Sequence, residues 1–270
     1  MPRTRDAVRR PAATPHSIPI EPRVDTRPDK MAEVVARRVV HDIIDRGLTP
    51  GQALDSEQAL LDRFVVSRES LREGLRLLEV AGLVGIRRGP GGGTFVGSVD
   101  PANLGRFGSL YFHMSGATYA ELFEAYALAD SLLAERAARH PSRVERRAVM
   151  GPFLSDSHSE PDLEHYITHH AGFHTAVARL ADNRVLQISL HAIGLLVGRH
   201  YVALADRHSL TLADARSSRP FVEDDHAVIA RAICAGNQRR ARSLMEDHVR
   251  HIVTVLEADG LDPDGVVEWV

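Results

Sequence analysis

The short connection at residues 65–67, between two amphipathic helix patterns, constrains the fold of this chain more than any other feature. One pattern opens at residues 55–56 and ends at Phe64, and only two residues separate it from Ser67, a good N-cap for the next helix. The second pattern places three leucines on one face, at spacings of four and three: Leu71, Leu75 and Leu78. Two helices joined by so short a turn are typical of a helix-turn-helix.

The segments on both sides extend this pair into a small domain over residues 29–97. Before it, a helix pattern capped by Asp29 and ended by Gly47 stacks three apolar side chains on one face: Val35, Val39 and Ile43. After it, the strand-like residues 83–86 and 94–96 flank a glycine-rich turn at 89–93. Three helices followed by a β-hairpin wing predict an N-terminal winged helix-turn-helix.

Beyond residue 97 the sequence is almost purely helical. Seven helix patterns are separated by breaks that contain Gly, Pro, Ser, Asn or Asp: 101–114, 118–140, 142–154, 162–181, 184–205, 221–235 and 238–258. They predict an all-α antiparallel bundle of six to seven helices over residues 98–259. The chain is thus expected to be mainly α, with a disordered arm at 1–28 and a loose C-terminal tail at 260–270.

Composition excludes several classes of protein. The 270 residues are 44% hydrophobic and 26% charged, which is typical of a globular protein. The single cysteine, Cys234, rules out an internal disulfide and a cysteine-rich zinc cage. The sequence has no run of about 18 apolar residues and no secretory signal pattern, so we expect a cytoplasmic protein without a membrane partner.

Charge and histidine are unevenly distributed along the chain. The formal net charge is −3, but residues 1–97 carry 16 Arg or Lys against 13 Asp or Glu, whereas the rest carries 17 against 23. Of the 15 histidines, 13 lie after residue 97. A mildly basic first part and an acidic, histidine-rich second part indicate different partners for the two parts.

The second helix of the motif carries the side chains expected to contact DNA. In a helix-turn-helix this helix lies in the major groove, with its N-terminal residues facing bases and phosphates. Arg68 and Arg72 lie away from the leucine face, and arginine suits a bidentate contact to guanine. Ser67 and Ser70 are short enough to approach phosphates at the helix N-terminus.

The predicted hairpin supplies a second set of candidate DNA contacts. Arg87 and Arg88 precede its glycine-rich turn and suit a wing that reaches the minor groove or the DNA backbone. Gly91 and Gly92 have no side chains, so the tip of the hairpin can approach closely.

A longer signature runs through this domain: Pro50-Gly51, Leu54, Ser56-Glu57, Leu60, Phe64, Ser67-Arg68, Leu71-Arg72, Leu75, Leu78, Gly82-Leu83, Arg88-Gly89 and Gly93-Thr94-Phe95-Val96. It resembles the DNA-binding domain of GntR-family bacterial transcription regulators. The resemblance implies a sequence-specific regulator, usually a repressor, that binds a near-palindromic operator as a homodimer. Where the family often has a DNA-contacting arginine this chain has Gln58, which is implied as a contact to phosphate or adenine.

Four histidines of the second part are spaced so that they can converge. His170 and His174 are four residues apart and share one helix face. His226 lies about ten residues before the turn at 236–237 and His248 about eleven after it, so an antiparallel hairpin brings both to the same height. Imidazoles converging inside a bundle suit Zn, Ni, Mn or Fe, although each histidine alone is more typical of a surface or core residue.

A second resemblance covers residues 100–258 in pieces. Its residues are Phe173-His174, Asn183, His226, Asn237, Ala241, Met245 and His248, and they are similar to the FCD ligand-sensing domain of the FadR-type branch of the GntR family. That domain holds a divalent metal with one Asp and three His. The resemblance implies His174, His226 and His248 as ligands, with His170 in the place of the Asp, and a four-histidine site favours zinc or nickel.

The FCD resemblance also locates an effector site. Where the family usually carries an arginine toward a bound carboxylate and a glutamate four residues later, this chain has Tyr126 and Asp130. Both are implied as effector-binding residues, and the effector is expected to be a carboxylate or an acyl compound.

A DNA-binding regulator that is not an enzyme therefore explains both halves of the sequence. The alternative is a helical metalloenzyme, such as a hydrolase with a histidine-bound metal and acids near His226 for general-base catalysis. That alternative gives no role to Arg68, Arg72 and the glycine-rich turn, so we favour the regulator.

Overall fold

The structure is a computed structural model that describes residues 18, 30–89, 91–154, 162–209, 211 and 220–269. Apart from residue 18, the predicted arm at 1–28 lies outside the described residues. The predicted fold class is confirmed: a three-helix domain with a two-stranded hairpin precedes a second part that is almost entirely α-helical.

The first part contains α1 (Met31–Asp45), α2 (Glu57–Phe64), α3 (Arg68–Val80), β1 (Val84–Arg87) and β2 (Gly93–Val96). The first helix begins slightly later than predicted, with Lys30 rather than Asp29 at the N-cap, where the Lys30 backbone N–H donates to the Glu33 carboxylate at 3.0 Å. Asp29 lies outside the described residues.

Close packing between α1 and α3 forms the core of this domain. The apolar positions predicted on the two faces are buried together: Val35, Val39, Leu71, Leu75 and Leu78. At Gly74 a Cβ atom would lie 2.7 Å from the Val35 side chain and 2.9 Å from the Ala32 carbonyl oxygen. A residue without a side chain is therefore required where the two helices cross.

The turn between α2 and α3 is as short as predicted. Val65 ends α2 in the left-handed region at φ 54°, which is rare for a β-branched residue, and its side chain is largely exposed. Ser67 then caps α3, and its Oγ accepts a hydrogen bond from the Ser70 backbone N–H at 3.1 Å. This cap fixes the direction in which α3 leaves the turn.

The wing is an antiparallel hairpin in which Val84 pairs with Val96 and Arg87 with Gly93. A Cβ atom at Gly92 would lie 2.4 Å from the Arg87 carbonyl oxygen, so the turn requires glycine there.

The second part contains seven α-helices among the described residues: α4 (Pro101–Ser115), α5 (Tyr119–Arg139), α6 (Arg143–Met150), α7 (Leu163–Leu180), α8 (Arg184–His208), α9 (Pro220–Ala235) and α10 (Gln238–Ala258). The third of the predicted helices is shorter than expected and continues as a 3₁₀ turn at Gly151–Phe153. The helix α5 packs along α10, α7 lies between α5 and α8, and α4 lies on α8. Phe173, Leu133, Ile233 and Met245 are fully buried at the centre of the bundle.

The helix α8 is long and apolar enough, by length and composition alone, to cross a membrane. In the structure it packs against α4, α5 and α7, and it buries Leu190, Leu196, His200 and Leu204. We therefore interpret it as a core helix of the bundle, a class of helix that meets the same criterion.

The C-terminal segment corrects the predicted loose tail at 260–270. The Gly265 carbonyl accepts a hydrogen bond from the Tyr119 backbone N–H at 3.0 Å, and the Val267 backbone N–H donates to the Ala117 carbonyl at 2.9 Å. The Val267 side chain is fully buried beside the junction of α4 and α5. Composition alone suggested a tail because Pro263 and Gly265 interrupt any helix pattern, whereas backbone hydrogen bonds hold this segment without one.

Candidate metal centre and nucleic-acid interface

The bundle brings together all four histidines singled out in the sequence. His170 and His174 come from α7, His226 from α9 and His248 from α10. One ring nitrogen from each lies within 4.8 Å of the other three. His174, His226 and His248 are buried, and His170 is partly buried.

Local structure explains this convergence. One helical turn separates His170 from His174, which places their rings 4.7 Å apart between centroids. The chain reverses between α9 and α10 at Gly236, with φ 75°, and the Asn237 side chain caps α10. This hairpin brings the Nε2 atoms of His226 and His248 to 3.1 Å.

Two carboxylates orient the histidines. The Nδ1–H group of His174 donates to Asp130 Oδ2 at 2.5 Å, and that of His248 donates to Asp225 Oδ2 at 3.4 Å. An Nδ1–H donor leaves Nε2 as the nitrogen with a lone pair, so both rings present Nε2 as a metal ligand. His174 Nε2 is buried and, within the described part of the chain, has no hydrogen-bond partner.

Electrostatics favour the metal-binding state of His226 and His248. Burial lowers the pKa of His226 well below its usual range, and the neighbouring histidines lower it further. Burial also lowers the pKa of His248, against the opposing effect of Asp225. For Asp225, burial raises the pKa, but hydrogen bonds from His248 and His251 outweigh it and hold the pKa below its ordinary value. His226 and His248 are therefore held as neutral imidazoles, which is the form that binds a metal.

This arrangement fits a divalent transition metal. Two nitrogens bound to one tetrahedral zinc ion lie about 3.3 Å apart, given bonds of about 2.0 Å, close to the 3.1 Å between His226 Nε2 and His248 Nε2. Phe173 stacks on His226 with 4.0 Å between ring centroids and shields the cluster on the core side. A buried ligand nitrogen with no other partner, on a ring held by a carboxylate, is the arrangement expected around a bound ion.

A cavity opens beside the cluster between α5, α7, α8 and α10. It encloses about 900 Å³ of space, which includes volume open to solvent, and His170 and His174 form part of its wall. Tyr126 also lines it, as the predicted effector role requires. Burial, followed by the charge of Asp130, raises the pKa of Tyr126 well above its usual range, so the phenol stays neutral.

The structure places Asp130 differently from the effector-contacting position implied by the sequence. Its side chain is fully buried, holds His174, and does not line the cavity. The four-residue spacing from Tyr126 puts both side chains on one face of α5, but Asp130 lies one turn further into the bundle. Asp130 therefore supports the histidine cluster through its hydrogen bond with His174 and does not line the cavity.

The predicted recognition helix presents its arginines to solvent. The side chains of Arg68 and Arg72 are 60% and 63% exposed. Both lie near Glu57 at the start of α2, at 3.6 Å from Arg68 and 3.3 Å from Arg72. Ser67 Oγ is 2.9 Å from Ser70 Oγ, so the two hydroxyls pair with each other at the N-terminus of α3.

The remaining candidate DNA contacts lie on the same domain and are exposed. The Gln58 side-chain amide donates to Asp62 Oδ1 at 2.9 Å, within α2. The Arg87 guanidinium lies 4.3 Å from the centre of the Phe95 ring, which holds it along the wing. Arg88, Gly91 and Gly92 are exposed at the hairpin turn.

Sequence reasoning missed two acidic residues in these sites. Glu57 faces both recognition arginines, although the signature residues include it. Asp225 precedes His226 and holds His248, which is 23 residues away in the sequence. Its position beside a candidate ligand was a signal, but three consecutive acids at 223–225 gave no means of choosing between them.

The molecule therefore combines a winged helix-turn-helix with exposed arginines and a helical domain with a histidine cluster beside a cavity. This combination defines a ligand-responsive DNA-binding regulator. Residues 31–96 match the model of the bacterial regulatory proteins of the gntR family, and residues 121–251 match the FCD domain. The chain belongs to the GntR family of transcription regulators that carry an FCD effector-binding domain.

Individual relatives agree with this assignment. The chain is 26% identical to the HTH-type transcriptional regulator LutR of Bacillus subtilis, over 77% of this chain and 93% of that protein. It is also 26% identical to the Glc operon transcriptional activator of Escherichia coli K12, over 82% and 87% of the two chains. The solved structure of Streptococcus agalactiae GntR covers 82% of this chain and 98% of its own, with a TM-score of 0.62 and 22% identity, and shows the same fold.

These comparisons decide between the two functional classes. The matched families and the named relatives are transcription regulators, not enzymes. The hydrolase alternative receives no support from them.

Proposed function

We propose that this regulator senses its effector at a metal ion bound by His170, His174, His226 and His248, and that this binding controls its affinity for operator DNA. The observation that carries the proposal is the convergence of four ring nitrogens within 4.8 Å, with Asp130 and Asp225 orienting two of the rings. Because all four candidate ligands are imidazole side chains, we expect zinc or nickel rather than magnesium. A divalent ion held there would supply a positive charge that attracts an anionic group of an effector.

Contacts across α8 suggest how effector binding reaches the DNA-binding domain. His191 and Gly194 of α8 line the cavity, while the neighbouring Ala192 faces α4. A Cβ atom at Gly105 of α4 would lie 2.7 Å from the Ala192 carbonyl oxygen, so α4 and α8 are in close backbone contact. Since α4 begins four residues after the wing, a ligand that displaces α8 also displaces the connection to the winged helix.

The exposed arginines of α3 are accessible to a major groove, and membership of the GntR family favours a homodimer on a near-palindromic operator. Two recognition helices related by a two-fold axis enter successive major grooves about 34 Å apart. We expect repression of the target operon, carried out in the cytoplasm at the nucleoid where the DNA partner lies. A promoter–reporter fusion tests the direction, because deletion of a repressor raises expression and deletion of an activator lowers it.

Metal analysis of the purified full-length chain tests the metal site. We expect about one transition-metal ion per chain, and we expect a His174→Ala, His226→Ala double variant to lose it. His165→Ala is the matched control, because His165 is an exposed histidine on the same α7 helix, lies outside the four-histidine cluster and pairs with Asp162, the N-cap of α7. A double variant that keeps the full metal content would overturn the proposed site while leaving the family assignment intact.

A further inference from the structure

The cavity beside the histidine cluster has walls that are mainly apolar, although the proposed effector carries an anionic group. Most of its surface is formed by aliphatic side chains of α7, α8 and α10: Ile167, Leu190, Leu195, Val197, Ile252 and Leu256. Among the described residues that line it there is no arginine and no lysine. Away from the metal site, the described wall offers no arginine or lysine to a second anionic group, and its remaining titratable side chains are His191 and Tyr201.

Three of the polar side chains that line the cavity lie together at the histidine cluster, and the others are Thr175, His191 and Tyr201. His170 and His174 belong to the metal cluster, and Tyr126 lies beside them, with 5.8 Å between the Tyr126 and His174 ring centroids. No described residue forms a hydrogen bond with the Tyr126 hydroxyl. The hydroxyl lies over Gly194, where a Cβ atom would be 3.5 Å away, so it is directed at the cavity side of α8.

We infer that the effector is a compact amphiphile: a monocarboxylate whose single charged end lies at the histidine cluster and whose apolar acyl or aryl body fills the space between α7, α8 and α10. This inference rests on the proposed function, because it concerns the cavity beside the proposed metal site. Burial of the apolar body is favourable by about 25 cal/mol per Å². A second anionic group further along the cavity would meet no arginine or lysine of the described wall, and burial of a charge without a cationic partner is unfavourable.

Each wall residue has a distinct part in this recognition. The Tyr126 hydroxyl donates a hydrogen bond to the polar end of the ligand, which sets the ligand's orientation. Gly194 leaves the space that the apolar body occupies next to Tyr126. The aliphatic side chains then select against hydroxyl and carboxylate groups along the body of the ligand.

Hexanoate and adipate form a matched pair of probes for this inference. Both have six carbons, and adipate has a carboxylate where hexanoate has its terminal methyl group. In isothermal titration calorimetry on the zinc-loaded full-length chain, we expect hexanoate to bind roughly tenfold tighter than adipate or better. We expect chelation of the metal to lower hexanoate affinity by a similar factor, because the described cavity wall has no arginine or lysine to replace it.

Three variants separate the cavity from the metal site. Gly194→Leu fills the cavity and should weaken hexanoate binding by roughly tenfold or more while leaving the metal content at the wild-type level. Val202→Leu is its control, because Val202 lies on the same helix, is 45% exposed and does not line the cavity. Tyr126→Phe removes only the hydroxyl and should cost about two- to tenfold in affinity.

The outcomes distinguish this inference from the proposed function. If the chain binds metal and operator DNA but takes adipate as well as hexanoate, or takes neither, the inference is wrong and the proposed function stands. If Gly194→Leu binds hexanoate like the wild type, the ligand does not occupy this cavity and the inference is again wrong. If the chain binds no metal yet still prefers hexanoate over adipate, the apolar cavity is supported and the metal-binding part of the proposed function is wrong.

Discussion

The two halves of this regulator place their functional side chains in opposite ways. In the winged helix, Arg68, Arg72 and Arg88 are exposed and lie within about 20 residues of one another in the sequence. In the bundle, the histidine cluster is largely buried, and its members and supports come from helices separated by up to 118 residues, from Asp130 to His248. The candidate DNA contacts therefore depend on local helix geometry, whereas the histidine cluster depends on the packing of the whole bundle.

This contrast predicts different responses to damage. An exposed arginine can be removed without disturbing any packing, so its loss should affect DNA binding alone. A buried histidine or its carboxylate partner is tied to both metal binding and the stability of the bundle. Thermal stability and DNA affinity, measured on the same variants, therefore separate the two halves.

Among the tests of this contrast, removal of the metal is expected to have the largest effect on stability. A ligand present at about 1,000 times its dissociation constant stabilises the folded state by about 4 kcal/mol. We expect chelation to lower the unfolding midpoint of the wild-type chain measurably in differential scanning calorimetry. The same treatment of the His174→Ala, His226→Ala variant should produce no shift, and an equal shift there would place the stabilising ion elsewhere.

Asp130→Asn tests whether the metal affinity of the histidine cluster depends on a residue that is not itself a proposed ligand. An amide is a weaker acceptor than a carboxylate for the His174 Nδ1–H group, which lies 2.5 Å from Asp130 in the wild type. Loss of such an orienting partner typically lowers metal affinity about 10- to 100-fold. Competition with a chromogenic zinc chelator measures this. Metal affinity equal to that of the wild type would mean that Asp130 has only a packing role.

Arg72→Ala is the matching test of the DNA-binding domain. We expect operator affinity to fall by about tenfold, within the range of about 1–3 kcal/mol for loss of a bidentate base contact. The unfolding midpoint should stay unchanged because the side chain is 63% exposed. Fluorescence anisotropy on operator DNA measures the first quantity, with Arg179→Ala on the exposed surface of α7 as the equal-charge control. If both variants bind alike, α3 is not the recognition helix.

Glu57→Gln should produce the smallest change, and in the opposite direction. The Glu57 carboxylate lies 3.3 Å from Arg72 and 3.6 Å from Arg68, and it must give up these arginines when they contact DNA. Exposed ion pairs contribute about 0–1 kcal/mol, so release of the arginines should raise operator affinity by no more than about fivefold. Anisotropy measured at low and high salt checks this. A large loss of affinity would instead show that Glu57 positions the arginines for binding.

The features predicted correctly from the sequence were those set by short-range geometry. The leucine spacing in α3, the N-cap at Ser67 and the one-turn separation of His170 and His174 follow from helix geometry alone. The common height of His226 and His248 follows from the position of the turn at Gly236. Each of these inferences used residues within a single helix or hairpin.

The features that the sequence did not reveal depend on distant packing. The sequence implied that Asp130 contacts the effector. Its depth in the bundle is instead set by how α5 lies against α7, and so is its contact with His174, which is 44 residues further along the chain. The cavity is likewise a space between helices, and no single segment encodes it. The C-terminal segment was expected to be loose because its partners, at the junction of α4 and α5, lie far away in the sequence.

That docked segment has a consequence for how the molecule folds. The Val267 carbonyl pairs with the His113 ring across a sequence separation of 154 residues, and Val267 itself is buried against the start of the bundle. Contacts of such high sequence separation form slowly, and during synthesis this contact must wait until residues 265–267 have emerged. The winged helix, with its mainly local contacts, can fold early, while the apolar faces of α4 and α5 near Val267 stay uncovered. The DNA-binding domain of the nascent chain can therefore form before the helical domain, and in the interval the uncovered apolar faces of α4 and α5 are exposed to aggregation.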